Sequence, residues 1–87
     1  MIKQSITIKN KSGLHMRPAS IFVKTAKGFT SNIAVVKEEK EYNAKSVTKV
    51  LSASVKNGDT IELTADGEDE QEAIEALVSA INSGLGE

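Results

Sequence analysis

His15 is the only histidine of the 87-residue chain, and it stands in "SGLHMRPAS", where a glycine-bearing loop gives way to a helical pattern. An imidazole serves as a nucleophile, a general acid–base or a metal ligand, according to its neighbours. With no cysteine and no second histidine, neither a thiolate nor a His-cluster metal site is available. No acid–base partner lies nearby in the chain, which counts against a hydrolase. Nucleophilic attack remains, and the surroundings favour phosphorus as its target. If His15 is the N-cap of a helix beginning at Met16, it stands at the positive end of the helix dipole. That end carries about half a unit charge and several unpaired backbone N–H groups, and it binds anions, phosphate among them. Arg17 adds a guanidinium suited to phosphate. Only a neutral imidazole has the lone pair that attack requires. Once a phosphoryl group is on the ring, the same elements stabilise its negative charge. Phosphoryl transfer needs mostly positioning and charge stabilisation, so no cofactor and no metal is called for. Taken locally, the pattern fits a surface histidine or a plain cap more readily than a phosphate carrier.

Ser46 repeats this arrangement at a second helix, "SVTKVLSASV". Its plain reading is an N-cap, worth ~1 kcal/mol. Composition narrows the remaining classes. Net charge −1 and three aromatics supply neither a basic excess nor a stacking surface for nucleic acid. No apolar run reaches membrane-spanning length, and "MIKQSITIKN" lacks a signal-peptide core, so no membrane insertion and a cytoplasmic location are expected. The length suits one domain, residues 1–87, with a modest aliphatic core.

The elements that must hold these residues read as follows. "IKQSITI" alternates Ile2, Ile6 and Ile8 against Lys3, Ser5 and Thr7, as a half-buried strand does. From Met16 to Lys27, Ala19, Phe22, Val23 and Ala26 recur at helical spacing. Gly28 is the expected positive-φ residue after that helix, and Pro18 falls in its first turn, where no N–H is missed. "SNIAVVK", a turn at "EEK" and a short "EYNA" form a hairpin. "SVTKVLSASV" has Val47, Val50 and Leu51 at helical spacing, although its β-branched residues leave a strand in competition. "TIELTADG" alternates Ile61, Leu63 and Ala65. The last helix, in "DEQEAIEALVSAINSG", carries an Ile74, Leu77, Val78, Ile81 stripe, a capping box of Asp69 with Glu72, and Gly84 at its end. The order β-α-β-β-α-β-α with amphipathic helices predicts an α+β domain of two layers, helices on one sheet face.

"GLHMRPAS" resembles the active-site signature of the histidine-containing phosphocarrier family of the bacterial phosphoenolpyruvate-dependent sugar phosphotransferase system. The pattern Gly-Leu-His-x-Arg-Pro-Ala is met at Gly13, Leu14, His15, Arg17, Pro18 and Ala19. "FVKTAKGFTSNI", "NAKSV" and "GEDEQEAIEALV" extend the resemblance over nearly the whole chain. It implies an open-faced sandwich, three helices over a four-stranded antiparallel sheet. It implies that His15 accepts phosphate from phosphorylated enzyme I, on Nδ1, and passes it to IIA domains of sugar permeases. The chain would then be a stoichiometric carrier rather than an enzyme. Arg17 and the backbone N–H groups of Met16 and Arg17 would hold the phosphate. Met16 replaces the alanine or threonine common there, a change to which a backbone N–H is indifferent.

The resemblance also implies a docking surface of Met16, Ser20, Val47, Thr48 and Leu51, rimmed by Lys24, Lys27, Lys45 and Lys49. In Gram-positive members the serine matching Ser46 is phosphorylated by an ATP-dependent kinase, and a catabolite-control transcription factor reads it. A regulatory binding module acting through Ser46 is therefore the alternative function. Val47-Thr48-Lys49 departs from the Ile-Met-Gly typical of regulated members, and Lys49 resembles enterobacterial proteins without the switch, so Ser46 is compatible with either state. A monomer is expected.

Overall fold

The computed structural model describes residues 1–86. Along the chain run β1 (Ile2–Thr7), α1 (Met16–Lys27), β2 (Asn32–Lys37), β3 (Lys40–Asn43), α2 (Val47–Ser52), β4 (Thr60–Asp66) and α3 (Glu70–Asn82). The strands form one antiparallel sheet in the order β1-β4-β2-β3. This is the expected open-faced sandwich, and "SVTKVLSASV" resolves as a helix at its start.

Alternation fixes which face is covered. Ile61, Leu63 and Ala65 of β4 are buried, and across from them stand Ile6, Gln4 and Ile2 of β1 and, on the other side, Val35 and Ile33 of β2. Slipping any of these strands by one residue would turn this apolar set to water, so the register is strongly held. Phe22 from α1 and Leu77 and Ile81 from α3 close over that face. Each such side chain contributes ~1.5–3 kcal/mol of burial. α3 packs on β4 and β1, α1 on α3 and α2, and α2 on β3. The β2–β3 hairpin turns on Glu38 and Glu39, whose φ values of 52° and 69° give the left-handed pair that the twist of a two-residue hairpin favours.

Three helix ends differ from expectation or refine it. Gly28 caps α1 with φ −73°, an ordinary right-handed value, so the glycine is not there for a positive φ. At α3 the expected stop is built in full. Gly84 N–H donates to the Ile81 carbonyl and Leu85 N–H to that of Ala80, a Schellman motif that folds Leu85 into the core. The capping box of Asp69 with Glu72 does not form, because the Asp69 side chain makes no cap bond. Its carboxylate instead accepts from Thr30 N–H (2.8 Å), Ser31 N–H (2.9 Å) and the Ser31 hydroxyl, tying the α1–β2 loop to α3. Those donors hold the Asp69 carboxyl down to about 2. The cap bond forms two residues earlier, where Gly67 N–H donates to Glu70 Oε1 at 3.1 Å.

Candidate phosphoryl site at the start of the first helix

His15 occupies the N-cap position of α1 with extended backbone (φ −76°, ψ −175°), and its carbonyl accepts the Ala19 N–H at 2.7 Å. The ring itself makes no capping bond and the residue is exposed, so the imidazole is not spent on the helix end. Pro18 has no N–H to offer, which leaves Met16 and Arg17 as the free donors of the first turn. Among the described residues neither has an acceptor. Two amides, the positive end of a three-turn helix and the Arg17 guanidinium thus adjoin an exposed ring, with no acid in that turn. Among the described residues no carboxylate pairs with Arg17. The side chain runs beside the C-terminal backbone, its Nε 3.9 Å from where a Cβ on Gly86 would lie.

The loop before His15 is held by close backbone contact. Gly13 sits at φ +62°, and a Cβ there would be 2.5 Å from the Val55 carbonyl oxygen and 2.7 Å from Lys56 Cα. Only glycine fits so near another backbone. Leu14 N–H donates to the Val55 carbonyl at 2.9 Å, Asn10 Nδ2 donates to the Gly13 carbonyl, and Asn57 Nδ2 donates to the carbonyls of Lys9 (3.0 Å) and Asn10 (3.1 Å). Leu14, next to the ring, is buried. The result is a shallow cavity of about 250 Å³ lined by Leu14, His15, Leu51, Ser54, Val55 and Lys56.

Of the expected docking residues, Leu51 shares this cavity with His15. Met16 is 63% exposed, a large apolar side chain left in water. Met16, Ser20, Lys24 and Lys27 recur on one helical face, and all are exposed. At 1.5 Å per residue, Lys24 and Lys27 lie roughly 13 and 18 Å along the axis from His15, so they form a flank rather than a ring. On α2, Thr48 and Lys49 are exposed, while Val47 and Leu51 lean half-buried on the core. Lys45 differs from the other lysines: its Nζ donates to the Phe29 carbonyl at 2.6 Å, which commits it to the fold. Ser46 is the N-cap of α2, its hydroxyl accepting from Lys49 N–H at 3.3 Å, and it does not line the His15 cavity. Sequence reasoning missed Lys56 and Asn57, because "KNGD" reads only as a turn, and Ser54, because "SVTKVLSASV" reads as helix to its end.

Among the described residues no helix is long and apolar enough to cross a membrane. A family model described as "PTS HPr component phosphorylation site" matches residues 2–83. The HPr-like protein Crh of Halalkalibacterium halodurans is 44% identical over 81 residues, which is 93% of this chain and 96% of that one. The phosphocarrier protein HPr of Neisseria meningitidis serogroup A is 44% identical over 87 residues, 100% of this chain and 98% of that one. The crystal structure of HPr-C-His from Thermoanaerobacter tengcongensis superposes with a TM-score of 0.97 at 50% identity, covering 100% of this chain and 98% of that one. With a match across nearly its full length and the same sandwich, the chain belongs to the HPr family of phosphotransferase-system phosphocarriers.

Proposed function

We propose that His15 is the phosphoryl acceptor of this chain, taking the group from phosphorylated enzyme I and giving it to IIA domains of sugar permeases. One observation carries the reading: an exposed imidazole at the N-cap of α1, unbonded to the helix, beside the free N–H groups of Met16 and Arg17. The neutral ring's lone pair on Nδ1 attacks phosphorus. As that N–P bond forms, the donor's bond to phosphorus breaks and its electron pair leaves with the donor. The phosphate oxygens then accept from the two amides and the Arg17 guanidinium, charge-assisted bonds of the stronger kind. Handing the group on reverses these steps, so the chain is a stoichiometric carrier. Met16, Ser20 and the α2 residues Val47, Thr48 and Leu51 meet the partners, with Lys24, Lys27 and Lys49 steering the encounter. Nothing in this chemistry needs a second copy, and the carrier acts as a cytoplasmic monomer.

The test is incubation with phosphoenolpyruvate and enzyme I. An acid-labile phosphoryl mass gain is expected for the wild type and not for His15→Ala. A wild type that gains no mass while another HPr does would refute the assignment.

The Ser46 hydroxyl supports a second, regulatory reading. It stands at a helix start where a phosphate is electrostatically tolerated, and phosphorylation there adds negative charge near the docking face. A serine kinase/phosphorylase would set it and a catabolite-control transcription factor would read it. Purified family kinase with ATP should label the wild type and not Ser46→Ala. An unlabelled wild type removes this reading and leaves the carrier role intact.

A further inference from the structure

We propose that Lys37 is a positioning residue for His15, acting through the 53–59 loop that forms the second wall of the site. The proposal rests on the carrier reading of His15. Lys37 lies at the end of β2, where "VVKEEK" reads as a solvated strand end, yet its side chain is only 17% exposed. Its ammonium donates to the Ser54 carbonyl at 2.7 Å and to the Ala53 carbonyl at 3.2 Å, and it pairs with Asp59 Oδ2 at 3.2 Å. All three charge and hydrogen-bond partners belong to the one loop. Asp59 Oδ2 also accepts the Lys56 N–H at 2.9 Å. The two ends of the loop are thus drawn onto a single cation.

What the loop does next matters for the ring. The Ser54 carbonyl held by Lys37 is followed directly by the Val55 carbonyl that accepts the Leu14 N–H, one residue before His15. Ser54 itself has φ +53°, a left-handed value that a residue with a Cβ adopts at a cost, so the loop needs something to hold it there. Ser54, Val55 and Lys56 are also half of the cavity lining around His15. A fixed point on β2 therefore reaches the imidazole through two consecutive peptide units and one hydrogen bond. The Lys56 N–H and then the Lys37 ammonium keep the Asp59 carboxyl below its ordinary range, which keeps the anchor ionised.

The experiment compares Lys37→Met, Lys37→Arg and Asp59→Asn with the wild type. Lys37→Met keeps the apolar stem and removes the ammonium, and Lys37→Arg restores a cation. Phosphoryl uptake from phosphorylated enzyme I is measured with the carrier as varied substrate, alongside the His15 imidazole resonances and a urea denaturation curve. Lys37→Met should lower kcat roughly tenfold through misplacement of the reacting ring. KM should stay within about twofold, because the docking residues on α1 and α2 are untouched. The ring resonances should shift, and Lys37→Arg should recover most of both effects. Asp59→Asn, which retains an acceptor for Lys56, should fall between and covers the case in which Lys37→Met does not fold. Variants that lose stability but keep wild-type kcat and wild-type ring resonances would overturn the proposal and leave Lys37 a stabiliser of the fold. A wild type that takes no phosphate on His15 refutes the carrier reading instead. The resonances, which need no phosphate, then still decide whether Lys37 positions the ring.

Discussion

Gly13→Ala tests the contact that sets the reactive loop in place. The new methyl would lie 2.5 and 2.7 Å from backbone atoms of Val55 and Lys56, where ordinary contact begins at 3.4 Å. No rotamer change relieves a clash between two backbones, so one loop must retreat by roughly 1 Å. A positive φ costs alanine ~1–2 kcal/mol. Separating the loops also weakens the hydrogen bond from Leu14 to Val55, worth ~0.5–1.5 kcal/mol. Together the loss is about 3 kcal/mol, a large part of the roughly 5–10 kcal/mol available to a chain of this size. With a slope of ~1 kcal/mol/M in urea, the denaturation midpoint falls by about 3 M. The ring moves with the loop, and phosphoryl uptake should fall ~10- to 100-fold. Gly58→Ala is the matched control. Gly58 also has a positive φ (+92°), but nothing lies within 4 Å of its would-be Cβ, so it bears the backbone cost alone. Equal losses in the two variants, or a Gly13→Ala that transfers phosphate normally, would refute the claim that loop-to-loop contact positions His15.

Asp69 should leave a mark on acid unfolding. Its folded carboxyl is held at about 2, below the ~3.9 of an unfolded aspartate, so its contribution is present above pH ~4 and is lost as pH falls toward 2. Asp69→Asn should flatten urea stability across that window, and an unchanged acid slope would contradict the assignment. Ser46→Ala removes the α2 cap. Its 3.3 Å bond to Lys49 N–H is long, so the expected loss is ~0.5–1 kcal/mol by thermal melting, with Ser46→Asp close to wild type. Binding to IIA domains should weaken as salt rises, since Lys24, Lys27 and Lys49 are exposed and unpaired among the described residues, and a flat salt response by calorimetry would remove their steering role.

Local periodicity was enough for α1, β4 and α3 because each buries one clear stripe, whereas α2, with Val50 alone fully buried, left a strand in competition. The α1 bounds at Met16 and Lys27, the β4 alternation and the Ile74–Leu77–Ile81 face all follow from it. The loop–helix junction at His15 was readable for the same reason, since N-cap geometry depends on adjacent residues only. What escaped was long-range. Asp69 looks like a cap to its own helix, but its strongest donors come from Thr30 and Ser31, nearly forty residues earlier. Lys37 looks like a solvated lysine until the 53–59 carbonyls are brought to it, and Lys45 looks free until it meets Phe29. Strand order belongs with these, because alternation says which side of a strand is buried and nothing of its neighbour.

The sheet order has a bearing on synthesis. Among the described residues the first strand, β1, pairs only with β4, the last, and the peptide before His15 leans on residues 55 and 56. A chain still growing at the ribosome, at ~5–20 residues per second, cannot seat the loop before His15 until residue 56 has been added, nor complete the β1–β4 ladder until β4 follows. The histidine is thus translated some forty residues before the backbone that seats it, so a nascent chain carries an unplaced ring until that second loop emerges.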